Sequence, residues 1–330
     1  MSTRIERHQV WFYLAAAVLG LVSGTLWPRA GGVFDVAVWP LLVALLYATF
    51  AQVPLRSIAP ALRDMRFLST ALIGNFLIMP ALVWALIQLT PADDALRLGL
   101  LLVLLVPCTD WFITFTQLGG GDTARATTLT PVNLFVQLLL LPMYLWLMAP
   151  ADMGAGGAGA GGAGEADVTI GPTDIWPAVL VVLVPLVAAA MSEPLMRRRP
   201  GEQRLQHHLG QAPVPLLALV ILAVTISHAE AAREASHLLP VVVAVALAYL
   251  AGALIVAKVS TAVVRLSPAT GRTLAFTLAT RNSFVVLPVA LALPAGWEVA
   301  ALVIVMQSLV ELFAMIGCLW LVPRALIRDR

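Results

Sequence analysis

ALRLGLLLVLLVPCTDWFITFTQL, residues 95–118, is long enough to cross a bilayer as one helix, yet Pro107-Cys108-Thr109-Asp110 stands in its middle. About 20 apolar residues span the hydrocarbon core. A proline at mid-depth removes a helix N–H and clashes with the preceding turn. Unwound backbone cannot face lipid, so it must be buried against protein or line a wet cavity. The stretch therefore predicts an interrupted membrane helix, with Pro107 as the break and a polar opening behind it.

The rest of the chain agrees that the bilayer is the main solvent. Of 330 residues, 60% are hydrophobic and 12% charged, and the mean hydropathy is +0.92. Soluble domains are closer to half apolar and a quarter charged. Ten apolar stretches read as spans, at about 10–27, 34–53, 67–90, 95–118, 124–149, 174–192, 212–229, 238–259, 269–293 and 296–322. With the N-terminus in the cytoplasm, the inside segments hold all 20 Lys and Arg except Arg29, Arg97, Arg233 and Arg281. That bias is what the positive-inside rule requires, and one span more or fewer would scramble it. The reading is a multi-pass protein of the cell (inner) membrane with both termini cytoplasmic. The N-terminal run MSTRIERHQVWFYLAAAVLGLVSGTLW lacks a small-x-small cleavage site and reads as a retained first span. Cys108 and Cys318 both lie in apolar runs and make no disulfide framework.

A Gly/Ala-rich segment without Lys or Arg, residues 149–173, divides the spans five and five and reads as an external linker. Five is odd, so two homologous halves, 1–148 and 174–330, would have opposite topology, the inverted-repeat plan of many secondary transporters. NLFVQLLLLPMYLWL (133–147) and QSLVELFAMIGCLWL (307–321) align at a shift of 174, which pairs Asn133 with Gln307 and Gln137 with Glu311. The same shift carries Pro107, Cys108 and Thr109 on to Arg281, Asn282 and Ser283, in the middle of FTLATRNSFVVLPVAL (276–291). The expected fold is all-α: ten transmembrane helices in two inverted five-helix repeats, with helices 4 and 9 broken and crossing.

Interrupted helices in corresponding places point to a binding site near the midplane. Freed backbone groups and half-helix ends can hold a solute or an ion. Thr109, Asn282 and Ser283 can complete hydrogen bonds there, with Asn133 in support. Asp110 and Arg281 are costly in hydrocarbon and are expected to face the interior. They read either as a structural ion pair at the crossing or as a coupling or gating pair. Glu311 is the third intramembrane charge and a second candidate proton carrier. Cys108 is either a small buried hydrophobe or a soft ligand facing the path, suited to a thiophilic solute. Cys318 fits the first description. Asn75 lines the cavity or bonds between helices. His8, His207, His208, His228 and His237 have no metal-ligand spacing.

VPCTDWFITFTQLGGGDTARATTLTPVNLF resembles the arsenite efflux permeases of the bile acid/arsenite transporter superfamily in Pro107-Cys108-Thr109, Gly121-Asp122 and Val132-Asn133. The second crossing is similar in Phe276-Thr277, Ala279, Asn282 and Val289-Ala290. The resemblance implies a core of spans 3–5 and 8–10 and a panel of spans 1, 2, 6 and 7. It implies that Cys108 matches the cysteine those permeases need, and that export is driven by proton exchange. Two positions depart from the pattern. The permeases carry a glutamate where this chain has Phe284, and Arg281 is unusual. The span-9 sodium ligands of bile-acid-type symporters fall at Thr277 and Arg281, where a fixed cation argues against that sodium site.

The expected function is secondary active transport, most specifically arsenite or antimonite efflux in exchange for protons. The alternative is a bile-acid-type symporter of an organic anion held by Arg281. An enzyme is not expected, since the chain has no HExxH, no GxSxG and no mid-membrane His. No cofactor, resident metal or nucleic-acid partner is expected.

Overall fold

The computed structural model describes residues 4–53, 64–148, 172–196, 209–293 and 296–329. The linker lies almost wholly outside these residues, as do Arg56, Arg63, Arg197, Arg198, Arg199, Arg204 and Arg330 of the basic pattern. Regular structure among the described residues is helical: α1 (Arg4–Leu26), α2 (Gly31–Phe50), α3 (Met65–Ile73), α4 (Met79–Ile87), α5 (Asp94–Leu105), α6 (Trp111–Leu118), α7 (Thr123–Met148), α8 (Pro172–Met196), α9 (Pro213–Ser227), α10 (Ala229–Glu234), α11 (Leu239–Val264), α12 (Pro268–Ala279), α13 (Ser283–Leu291) and α14 (Glu298–Leu321). Six helical segments are long and apolar enough to cross a membrane, and Trp11–Leu26 and Leu180–Ser192 are shorter apolar helices. The chain is a polytopic, all-helical membrane protein.

It divides into two compact units, each drawn from both halves of the sequence. One comprises Met1–Gln52, Ala151–Leu239 and Phe284–Val305, and the other Val53–Pro150, Pro240–Ser283 and Met306–Arg330. The expected spans 1, 2, 6 and 7 fall in the first unit, and spans 3–5 and 8 in the second. Spans 9 and 10 do not stay whole: residues 284–305, the end of span 9 and the start of span 10, belong to the first unit, although the resemblance implied that both spans join the core. The first division falls at the helix break just before Phe284, and the second inside α14.

In the first unit α1 packs along α9, and α9 along α2. The approach of α1 is close because Gly20 and Gly24 present no side chain. A Cβ on Gly20 would lie 1.9 Å from Thr225 Oγ1, and one on Gly24 2.5 Å from Ala229 Cβ. Small residues four apart commonly form such membrane-helix contacts.

The second unit carries both predicted interruptions. Its half-helices α5 and α12 start alike. Asp93 caps α5 by accepting from Leu96 N, and Ser267 caps α12 by accepting from Thr270 N. Such caps satisfy otherwise orphaned N–H groups. The shift of 174 read from the sequence carries the bounds of α5, Asp94–Leu105, on to those of α12, Pro268–Ala279.

The third expected span contains a π turn, Gly74–Ile78, between α3 and α4. Pro80 has no N–H to give the carbonyl of Phe76, and the buried Tyr144 hydroxyl donates to that carbonyl instead. The turn directs Asn75 inward. It also packs tightly on α12, where a Cβ on Gly74 would meet Leu278 Cδ2 at 2.8 Å.

Candidate functional site

Both interruptions are real breaks, and they meet. Helix α5 ends at Leu105 and α6 begins at Trp111; α12 ends at Ala279 and α13 begins at Ser283. Val106 is extended at φ −103°, ψ 110°, as a residue before proline tends to be. Thr280 adopts nearly the same conformation, φ −101°, ψ 141°, without a proline after it. Pro107 and Arg281 form an isolated antiparallel bridge. Cys108 N donates to Thr280 O at 3.1 Å, and Asn282 N to Val106 O at 2.8 Å. The shift of 174 exchanges the two bonds, carrying the donor Cys108 on to Asn282 and the acceptor Val106 on to Thr280, so the bridge is locally two-fold. The bridge supplies backbone partners that the unwound segments would otherwise lack. Side chains reinforce it: Asn282 Nδ2 donates to Thr109 Oγ1 at 3.0 Å.

Arg281 is 2% exposed. Its guanidinium turns back on to the ends of both half-helices. Nη2 donates to Leu278 O at 2.6 Å, Thr277 O at 3.4 Å and Asn75 Oδ1 at 3.0 Å, and Nη1 to Leu104 O at 3.5 Å. The Tyr249 ring lies 5.0 Å from its Cζ, and the Tyr249 hydroxyl donates to Leu278 O at 3.0 Å. A cation at helix C-termini is favoured by their partial negative charge. This arrangement explains a break without proline: the guanidinium takes carbonyls of the last turn of α12, and Glu311 takes the next free amide.

Both oxygens of Glu311 accept from the Arg281 backbone N–H, at 3.0 and 3.1 Å. Gln307 Nε2 donates to Oε2 at 2.9 Å. The shift of 174 that carries Pro107 on to Arg281 carries Gln137 of α7 on to Glu311, and proline has no N–H to offer. Gln137 is buried, and neither of its side-chain polar atoms has a hydrogen-bond partner. Asn133 Oδ1 and Gln307 Oε1 are also buried without partners. A void of about 10 Å³ is lined by Tyr249, Ala279, Gln307 and Glu311 among others, about the space one water requires.

Cys108 is buried at 3% exposure. The backbone amides of Asp110 and Phe112 hydrogen-bond its sulfur, and the carboxylates of Asp110 and Glu311 both lie within electrostatic reach. Asp110 is half-buried at the N-cap position of α6. Asn133 Nδ2 and Asn75 Nδ2 both donate to Thr277 Oγ1, at 3.4 and 3.3 Å. The Ser283 and Ser308 hydroxyls are hydrogen-bonded to each other. The structure thus brings Pro107, Cys108, Thr109, Arg281, Asn282 and Glu311 to one crossing in the second unit, with Asn133 tied to it through Thr277. Cys318 is buried on α14. Sequence reasoning missed Tyr249 as a site residue, although the shift of 174 applied to Asn75 points directly to it.

Larger cavities lie elsewhere. One of about 260 Å³ is lined by Asp64, Phe67, Asp122 and Arg125 among others. Arg125 bonds Asp64 at 2.7 Å and also reaches Asp122. Burial raises the Asp64 pKa, but the Arg125 and Phe67 hydrogen bonds outweigh it and hold the carboxyl below its ordinary value.

The sequence profile of the Sodium Bile acid symporter family matches residues 39–235. The match covers the first break and stops before the second. The chain is also similar to the Arsenical-resistance protein Acr3 of Corynebacterium glutamicum, 23% identical over 333 aligned residues that cover 96% of this chain and 87% of that protein.

Proposed function

The chain belongs to the sodium bile acid symporter family and is a membrane transporter rather than an enzyme, and we propose that it exports arsenite in exchange for protons across the cell membrane. The observation that carries this reading is the placement of Cys108. A buried thiol stands in the first helix break, hydrogen-bonded by two backbone amides and within electrostatic reach of the Asp110 and Glu311 carboxylates, and its own amide is bonded to Thr280 O of the second break. Trivalent arsenic favours thiolate ligands, and arsenite at neutral pH is mostly the uncharged trihydroxide. One sulfur, with the hydroxyl and amide groups of Thr109, Asn282, Ser283 and Asn133 around it, holds such a solute weakly enough to release it. The resemblance of the whole chain to an arsenical-resistance protein supports the same substrate.

Charge counting supports proton coupling. Asp110, Glu311 and Arg281 together carry one net negative charge when all are ionised, and one bound proton neutralises the crossing. In this reading Glu311 carries the proton. As a carboxylate it chelates the Arg281 amide with both oxygens. Protonation occupies one oxygen and loosens that hold, so the proton and the geometry of the break are linked. Ten spans in two inverted repeats, with cytoplasmic termini, complete the proposal, supported by the two-fold bridge and the matched half-helices.

An organic anion would require Arg281 as its contact. Nη1 and Nη2 of the guanidinium are committed to oxygens of the protein, and Nε, which has no partner, is buried, which favours an uncharged solute. The test is arsenite accumulation in an arsenite-sensitive bacterial strain, comparing wild type with Cys108→Ser at matched membrane levels. The wild type lowers accumulation and the variant does not. If the two lower it equally, Cys108 is outside the path.

A further inference from the structure

A guanidinium inside a cluster of oxygens is a bound cation that cannot leave. Leu104 O, Thr277 O, Leu278 O and Asn75 Oδ1 all point at Arg281, and the face of Tyr249 lies beside it at 5.0 Å. Leu104 and Leu278 are separated by the same shift of 174 that relates the half-helices, so the charge bridges equivalent last-turn carbonyls of α5 and α12. Half-helix C-termini and unwound carbonyls are the groups with which discontinuous transporter helices coordinate sodium. Oxygen ligands of this kind suit hard cations.

We infer that the Arg281 guanidinium is a resident cation that fills the alkali-cation position at the crossing of the half-helices. This member of a sodium symporter family therefore works without sodium at that position, and loss of the guanidinium exposes a cation-binding site. The inference deepens the proposed function by fixing which ion is not coupled. It rests on that reading only in taking the crossing to be the transport centre.

The test needs no transported solute, so it stands or falls separately from arsenite export. The purified full chain is unfolded thermally in detergent with sodium, lithium, potassium or choline chloride at equal ionic strength, about 0.1 M. Guanidinium chloride is titrated separately to about 10 mM, far below denaturing concentrations. The wild-type midpoint is the same in sodium and choline. Arg281→Ala unfolds at a lower temperature and regains at least half of the loss, saturably, with guanidinium and with at least one alkali cation but not with choline. A saturable sodium response of the wild type overturns the inference, as does an Arg281→Ala response that is equal for all salts. If Arg281→Ala does not accumulate folded, Arg281→Gln is measured the same way, and the wild-type comparison decides by itself.

Discussion

Replacing Glu311 with glutamine removes the charge and the proton site while keeping the shape. The carboxylate accepts from two donors, the Arg281 N–H shared between its two oxygens and Gln307 Nε2 on Oε2. A glutamine oxygen in the place of Oε2 still accepts from both the amide and Gln307, but its NH2 group then stands in the place of Oε1, facing the Arg281 N–H. One buried donor is left unpaired, at about 1–3 kcal/mol. Glu311→Ala leaves both donors unpaired and costs about twice that. Glutamine therefore yields folded protein for assay, and the functional loss is separable from the structural one. In proteoliposomes two rates are compared: arsenite accumulation driven by an imposed pH gradient, and arsenite exchange across the membrane without a gradient. Glu311→Gln loses the gradient-driven accumulation, by at least about tenfold, equivalent to roughly 1.4 kcal/mol, and keeps exchange. If gradient-driven accumulation persists in Glu311→Gln, the proton is carried elsewhere, and the assignment to Glu311 is refuted.

Other outcomes follow from single contacts. Tyr144→Phe removes the donor to the Phe76 carbonyl and lowers stability by about 1–3 kcal/mol; adding Pro80→Ala restores an N–H for that carbonyl, and a double-mutant cycle reads the recovery as coupling. Pro107→Ala supplies a backbone N–H within register of the unpartnered Gln137 side chain, so the melting temperature does not fall while arsenite transport drops. Asp64→Asn tests the exposed ion pair with Arg125. The Asp64 pKa is lowered by folding, so its contribution is present above the ordinary carboxylate range near 3.9 and fades as pH falls through the lowered value. The variant is therefore less stable at neutral pH, by under about 1 kcal/mol because the pair is solvent-screened, and equal to wild type once Asp64 is protonated in both states.

Much of this molecule was legible in the sequence because membrane helices obey simple constraints of length and charge. Pro107 announced its own break, since a missing N–H is a property of the residue. The shift of 174 that pairs Asn133 with Gln307 and Gln137 with Glu311 also puts Pro107 opposite Arg281. The break at Thr280–Asn282 was legible only through that shift. No proline or glycine marks it, and it is held by tertiary bonds from Glu311 and from the guanidinium to distant carbonyls. The direction of Arg281 was not legible for the same reason. A sequence shows a charge in a span but not that the charge folds back on to Leu104 and Leu278. The π turn at Gly74–Ile78 and the Tyr144 contact that satisfies it depend on packing between distant spans. So does the passage of Phe284 and its successors into the first unit.

In the proposed cycle arsenite passes the crossing and meets the Cys108 thiol. Uptake of radiolabelled arsenite into everted membrane vesicles, energised by a pH gradient, tests it most directly when wild type, Cys108→Ser and Cys318→Ser are compared at equal protein levels. The wild type and Cys318→Ser take up arsenite, and Cys108→Ser stays at the level of vesicles lacking the protein. Uptake by Cys108→Ser at the wild-type rate, or none by the wild type, would contradict it.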